Sequence, residues 1–114
     1  ATNRLSIAAM LIPTNDTFVA LDSKALPRKG SKTFYLKAYD AGSEYNDQLC
    51  INIPGPRCQG EALSAPASND EGFVYVSNGF HNRGAKEDAG NEILQPFTYD
   101  WRNPVAKVVV RRVH

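Results

Sequence analysis

The chain is poor in several residue types that mark specialised proteins. Its 114 residues include two cysteines, two histidines, one methionine and one tryptophan, and its formal net charge is only +1. A dedicated nucleic-acid binder carries a basic stripe and a high pI, so we expect no nucleic-acid partner. No apolar run approaches the roughly 20 residues of a membrane-spanning helix. The length is that of one domain at most, and we interpret residues 1–114 as that domain.

Sequence signatures of catalysis are also missing. The chain has no GxSxG elbow, no HExxH pair and no glycine loop that could cradle a phosphate. His81 stands between Gly- and Asn-containing segments and His114 is the last residue. A lone loop histidine is far more often hydrogen-bonded or exposed than catalytic. We therefore expect a protein that is not an enzyme.

The two cysteines, Cys50 and Cys58, frame the segment "CINIPGPRC". Pro54, Gly55 and Pro56 favour a tight reversal that brings the thiols near each other, and a disulfide there would contribute about 2.5 kcal/mol. A closed zinc site needs four ligands and no further cysteine exists. The alternative is two free, buried cysteines in a cytosolic protein. A disulfide would place the chain in an oxidising compartment: secreted, periplasmic or at the cell surface.

Strand signals are plentiful and helical periodicity is hard to find. The pattern predicts an all-β, antiparallel fold. The first predicted strand is nearly all apolar, which is typical of a strand covered on both faces. A closed sandwich of this size has about seven strands, two more than the strong signals provide. The predicted strands cover residues 4–12, 17–23, 32–39, 72–79 and 105–113.

An acidic segment, "KAYDAGSEYND", carries Asp40, Glu44 and Asp47. Gly42 lets the backbone turn sharply enough to point Asp40 and Glu44 inward, and the turn "PTNDT" adds Asp16. Calcium takes six to eight oxygen ligands, mostly from carboxylates and loop carbonyls, and a β-sandwich can assemble such a site at one end. The alternative is an acidic turn that is simply solvated.

Three ordered motifs resemble the spondin N-terminal domain family. "AAMLIPTNDTFVALDS" (8–23) is similar to that family's "SMIVPSPDWFVGVDS", without a gap. "AYDAGSE" (38–44) resembles "PWDAGTD", and "NPVAKVVVRR" (103–112) resembles the closing "ARVTVTR" strand. "GFVYVSNGFH" and "YDWRNPVAKV" look like bacterial members of the family.

The resemblance implies an antiparallel β-sandwich similar to calcium-dependent membrane-docking domains, in extracellular matrix and adhesion proteins. It implies calcium ligands at Asp16, Asp40 and Glu44. Two positions depart from the family pattern: Thr17 replaces the Trp after Asp16, and Glu44 replaces an Asp but still offers carboxylate oxygens. Whether Asp47 or His81 joins the site is left open by the sequence.

The function we expect is that of a secreted, calcium-binding module acting by surface recognition, in matrix, adhesion or membrane association. The alternative is an architectural subunit of an extracellular assembly. Since relatives carry early strands before the first motif, we expect this chain to be a processed or partial product. Its partner would be the N-terminal fragment of its own precursor or a strand-donating neighbouring subunit, with most apolar exposure at residues 7–12.

Overall fold

The computed structural model describes residues 3–46, 50–56, 58, 60, 70–79 and 101–114. Within these residues the chain forms six β-strands, one short 3₁₀ helix and no α-helix. The prediction of an all-β, antiparallel fold is therefore confirmed. The elements are β1 (Arg4–Met10), β2 (Thr17–Ala25), β3 (Ser31–Leu36), β4 (Ala38–Asp40), the 3₁₀ helix (Cys50–Asn52), β5 (Tyr75–Val76) and β6 (Ala106–Arg111).

Four strands form one antiparallel sheet in the order β1-β2-β4-β5. The hairpin of β1 and β2 runs from the pair Arg4 and Ala25 at one end to the pair Met10 and Phe18 at the other. The short strand β4 pairs with the beginning of β2, and β5 pairs with β4. All functional candidates near the start of β2 therefore lie at one end of this sheet.

The remaining two strands, β3 and β6, form a second antiparallel sheet. The sequence predicted one strand over 32–39, but the segment is divided between the two sheets at Lys37. Both sides of the break are tied down: the Val105 N–H donates to the Leu36 carbonyl at 2.9 Å and the Ala38 N–H donates to the Asn103 side-chain oxygen at 2.7 Å. Because the residues on both sides of Lys37 have a similar strand propensity, only the pairing of each side with a different strand reveals the break.

A small core lies between the two sheets. Val19 and Leu21 point to the same face of β2 because side chains alternate along a strand, and Leu36 of β3 packs with them. Full burial of each such side chain is worth about 1.5–3 kcal/mol, so these three form the main apolar anchor. Partly buried neighbours complete the cluster: Leu5, Leu11, Phe34, Val105, Ala106 and Val108.

Strand β1 lies at an edge of the four-stranded sheet, and none of the described residues pairs with its outer side. All but one of its residues are exposed, including Ile7 at 40% and Met10 at 52%. The expectation that this apolar run is covered on both faces is therefore wrong, whereas apolar exposure within residues 7–12 is observed at Ile7, Met10 and Ile12. Sequence pattern alone cannot distinguish a buried strand from an apolar strand left at an edge, because both are continuous apolar runs.

The Cys50–Cys58 disulfide is present, with the two Cα atoms 4.8 Å apart. Gly55 makes the reversal between them, with a φ of +99° that favours glycine. The neighbouring Ile53 is 2% exposed and so anchors this loop. The predicted disulfide is confirmed and the free-thiol alternative does not hold. Within the described ranges, no helix has the length and hydropathy required to cross a bilayer.

Candidate functional site

The strand register brings two of the predicted acids to the same end of the four-stranded sheet. Thr17, the first residue of β2, pairs with Asp40, the last residue of β4. The Ala41 N–H also donates to the Asp16 carbonyl at 3.1 Å. Asp16, directly before β2, and Asp40, at the end of β4, therefore lie side by side at the same end of the sheet. In the sequence the two acids lie in separate segments, and the pairing of β2 with β4 brings them together.

The carboxylate of Asp16 is buried and only half satisfied. Its Oδ2 accepts from the Ser43 N–H at 2.8 Å, the Ser43 hydroxyl at 3.0 Å and the Glu44 N–H at 3.0 Å. Its Oδ1 is buried and has no hydrogen-bond partner within the described residues. An unpaired buried carboxylate oxygen costs free energy, so this atom needs a physical explanation.

Asp40 is the most deeply buried acid of the site, at 2% exposure. Its Oδ1 accepts from the Gly42 N–H at 2.9 Å and its Oδ2 accepts from the Asn46 side-chain amide at 2.8 Å. Burial raises its pKa above the ordinary 3.8, these two hydrogen bonds oppose that, and the negative charges of Asp16 and Glu71 raise it further. The environment of Asp40 thus disfavours its ionised form.

Glu71 is a member of this cluster that the sequence analysis missed. Its Oε1 lies 3.4 Å from the Asn46 side-chain nitrogen, and its Oε2 is buried without a hydrogen-bond partner in the described part of the chain. The Gly72 N–H donates to the Gly42 carbonyl at 2.8 Å, which fixes Glu71 beside the acidic loop. In the sequence, Glu71 is an acid directly before a predicted strand. Only the pairing of β5 with β4 shows that it lies near Asp40.

Tyr75 of β5 closes the cluster with a neutral hydroxyl. Its Oη lies 2.7 Å from the Asn46 side-chain nitrogen. Burial, followed by the negative charges of Asp40 and Glu71, raises the pKa of Tyr75 to about 12. Tyr75 is therefore protonated at neutral pH and adds no charge.

Glu44 is buried as well, at 8% exposure, and its backbone N–H helps to hold Asp16. The three predicted ligands are thus all buried, which is not how a merely solvated acidic turn behaves, and the neighbouring charges that raise the pKa of Asp40 are those of Asp16 and Glu71. Within residues 3–46, 50–56, 58, 60, 70–79 and 101–114, however, no three His, Cys, Asp or Glu side chains converge tightly enough to hold a metal. Asp47 and His81 lie outside the described residues.

The donor chemistry of the cluster fits a hard cation. Its acids offer only oxygen, the ligand type that calcium prefers, and Asp16 and Glu71 each retain one oxygen that no described residue hydrogen-bonds. Beside the cluster, a groove of about 450 Å³ opens toward β1 and is floored by Ala8, Ala9, Met10 and Phe18. The acids therefore lie at the border between a polar loop and an apolar surface.

Comparison with known proteins adds no relative. No family model, curated protein or solved structure matches this chain. The similarity to the spondin family therefore depends on the motifs quoted above, and the site has to be argued from its own geometry.

Proposed function

We propose that this chain is an extracellular, calcium-binding β-sandwich module of spondin type that acts by surface recognition rather than by catalysis. The observation that carries the proposal is a pair of buried oxygens, Asp16 Oδ1 and Glu71 Oε2, that have no hydrogen-bond partner among the described residues and belong to the two acids whose charges raise the pKa of Asp40. Buried carboxylates without counter-charge are costly, and a bound dication would offset that cost.

Calcium, when bound, would supply two positive charges and an oxygen-coordinating centre. The residues that would hold it are Asp16, Asp40 and Glu44, as predicted, with Glu71 as a fourth candidate. The protein's own contribution is to orient these groups: the backbone of Ser43 and Glu44 holds one oxygen of Asp16, and no described residue hydrogen-bonds the other. The role is structural, because binding would stiffen the end of the sheet that borders the apolar groove.

The disulfide supports the location that we propose. Cys50 and Cys58 are bonded, and stable disulfides of this kind belong to oxidising compartments. We therefore propose a secreted, periplasmic or cell-surface protein. Such compartments also contain the millimolar calcium that a weak extracellular site requires, since extracellular modules bind with dissociation constants of about 10⁻⁴–10⁻³ M.

Calcium titration with thermal melting tests the proposal. At about 10 mM calcium, such affinities stabilise the native state by about 1.4–2.7 kcal/mol. For 114 residues this raises the melting temperature by about 6–11 °C relative to chelator. Asp40→Asn should remove the increase, whereas Asp22→Asn, a matched change at an exposed carboxylate on β2, should preserve it. An equal increase in wild type and Asp40→Asn would refute the site.

A second pair of variants identifies the remaining ligand. Glu44→Gln and Glu71→Gln each keep the side-chain shape and remove the charge. If the resemblance assigns the ligands correctly, Glu44→Gln weakens calcium binding more than tenfold in a calorimetric titration. If the buried Glu71 Oε2 is a ligand, Glu71→Gln weakens calcium binding more than tenfold instead. Unchanged affinity in both variants would contradict a site at this cluster.

The second candidate function is an architectural subunit completed by a strand from another chain. The observation that favours it is β1, an edge strand whose outer side pairs with none of the described residues. Ile7 and Met10 of β1 and the following Ile12 are 40%, 52% and 46% exposed. Open apolar edges are templates for an added strand, supplied by the precursor's own N-terminal part or by a neighbouring subunit.

Sedimentation of the chain by itself tests this candidate. We expect concentration-dependent association that Ile7→Lys suppresses, because a lysine on an edge strand opposes strand addition. The control is Val109→Lys, at an exposed position of β6 in the other sheet. A monomer at all concentrations, melting cooperatively, would refute the candidate.

A further inference from the structure

The end of the molecule opposite the acidic cluster is lined with positive charge. Asp16 precedes the first residue of β2, while Ala25 ends that strand and pairs with Arg4. At about 3.3 Å per residue, the two ends of β2 are about 25–30 Å apart. Strands β3 and β6 meet the same basic end through the pair Ser31 and Arg111.

A cleft of about 480 Å³ opens at this end, between the β1–β2 hairpin and the end of β6, and a second cleft adjoins it. Among the described residues, no Asp or Glu side chain lines either cleft. Five cationic side chains and one histidine do: Arg4, Arg28, Lys29, Arg111, Arg112 and His114.

The backbone around the cleft is well tied while most of its cations are free to meet a ligand. The Arg112 N–H donates to the Gly30 carbonyl at 2.9 Å, which extends the pairing of β3 with β6 at this end. Arg4 donates to the Ser23 carbonyl. For Arg28, Arg111 and Arg112, by contrast, the described part of the chain contains no ion pair or side-chain hydrogen bond. Three exposed guanidinium groups without internal partners are suited to external anions.

The cleft is also apolar. Leu26 is 38% exposed and Val113 is 73% exposed, and both line the cleft beside the arginines. A soluble sulfated or phosphorylated polymer would use the guanidinium groups and leave these aliphatic side chains in water. A membrane surface uses both, because headgroup phosphates meet the arginines and the acyl boundary accepts the aliphatic groups.

We infer that this basic cleft docks the module, without calcium, on a membrane surface that contains anionic phospholipid. The inference deepens the surface-recognition part of the proposed function and does not depend on its calcium site. Docking through the basic end would leave the acidic cluster, about 25–30 Å away along β2, facing away from the membrane.

Vesicle flotation in chelator tests the inference, with phosphatidylcholine vesicles that contain or lack phosphatidylglycerol. The binding variant is Arg28→Gln/Arg111→Gln/Arg112→Gln. The charge-matched control is Lys37→Gln/Arg102→Gln/Lys107→Gln, which changes exposed cations outside both clefts. Each cation near an anionic surface is worth about fivefold in affinity, so the binding variant should lose about 100-fold. The control should lose much less.

A second pair of variants separates a membrane from a soluble polyanion. Leu26→Ser/Val113→Ser keeps the charge and should weaken vesicle binding several-fold, by about tenfold if both side chains enter the interface. Its control, Ile7→Ser/Val109→Ser, should bind like the wild type.

The outcomes are decisive in both directions. Binding that needs phosphatidylglycerol, falls with the cleft variants and persists in chelator and in Asp40→Asn supports the inference whether or not the calcium site exists. Four results would overturn it. Two are the absence of vesicle binding and an equal loss in the cleft and control variants. The third is binding to heparin, used as the soluble polyanion, together with vesicle binding that Leu26→Ser/Val113→Ser does not change. The fourth is vesicle binding that appears only with calcium. Melting curves of all variants exclude unfolding as the cause of a loss.

Discussion

The turn that holds the acidic cluster depends on one glycine, and replacing it gives a sharp prediction. Gly42 has a φ of +67°, in the left-handed region. A Cβ atom at this position would lie 2.1 Å from the carbonyl oxygen of Phe73 and 2.8 Å from its carbonyl carbon and nitrogen. The Gly72 N–H donates to the Gly42 carbonyl at 2.8 Å and fixes this close approach. A methyl group therefore has no room unless the backbone moves.

The magnitude follows from two costs. The left-handed conformation costs a residue with a Cβ about 1–2 kcal/mol. Relief of the clash must separate the two segments and break the hydrogen bond between Gly72 and Gly42, at about 1–3 kcal/mol more. Gly42→Ala should thus lose about 2–5 kcal/mol. Since 114 residues unfold with an entropy near 0.24 kcal/mol/K, its melting temperature should fall by about 8–20 °C.

Gly30→Ala is the matched control. Gly30 has almost the same φ, +66°, but a Cβ there would meet nothing within 4 Å. It should lose only the conformational cost, about 1–2 kcal/mol, or about 4–8 °C. Urea unfolding of both variants in chelator measures the difference. Equal losses would show that Phe73 does not approach Gly42 as closely as the structure has it, and the geometry of the acidic cluster would fall with it.

Three further predictions concern single groups. Asn103→Ala should lose about 2–3 kcal/mol in urea unfolding, because its side chain accepts from the Ala38 N–H at 2.7 Å and donates to the Ser77 carbonyl at 2.8 Å; a loss under 0.5 kcal/mol would contradict this link. Alkylation without reductant should leave the mass unchanged, and reduction should then add two labels at Cys50 and Cys58; labelling before reduction would count against an oxidising compartment. In chelator, the unfolding free energy of wild type relative to Asp40→Asn should fall as pH rises from 3.8 through the raised pKa of Asp40. The reason is that the native state binds more protons than the unfolded state over this pH range. A rise over the same range would show that folding lowers the pKa of Asp40.

Local sequence was sufficient for features that depend on neighbouring residues. The composition around Phe18 and Val108 predicted strands because β-branched and aromatic side chains favour a pleated surface. The Pro-Gly-Pro segment predicted the reversal that lets Cys50 and Cys58 bond, and Gly55 does adopt the required positive φ. The turns before Thr17 and after Asp40 were also visible, because Gly, Asn and Asp mark turns through their own backbone preferences.

Features that depend on long-range pairing were decided only by the tertiary structure. The break at Lys37 exists because β3 and β4 pair with partners in different sheets, and the edge position of β1 exists because nothing within the described residues pairs with its outer side. Glu71 reached the acidic cluster only because β5 pairs with β4, and the arginines that line the basic cleft come from three separate segments of the chain, at Arg4, Arg28 and Arg111–Arg112. Residue preferences extend over a few positions, whereas these contacts join segments separated by tens of residues. The assembled sheets therefore determine which side chains are buried and which carboxylate oxygens are left unpaired among the described residues. They also determine how far apart the acidic and basic ends lie along β2.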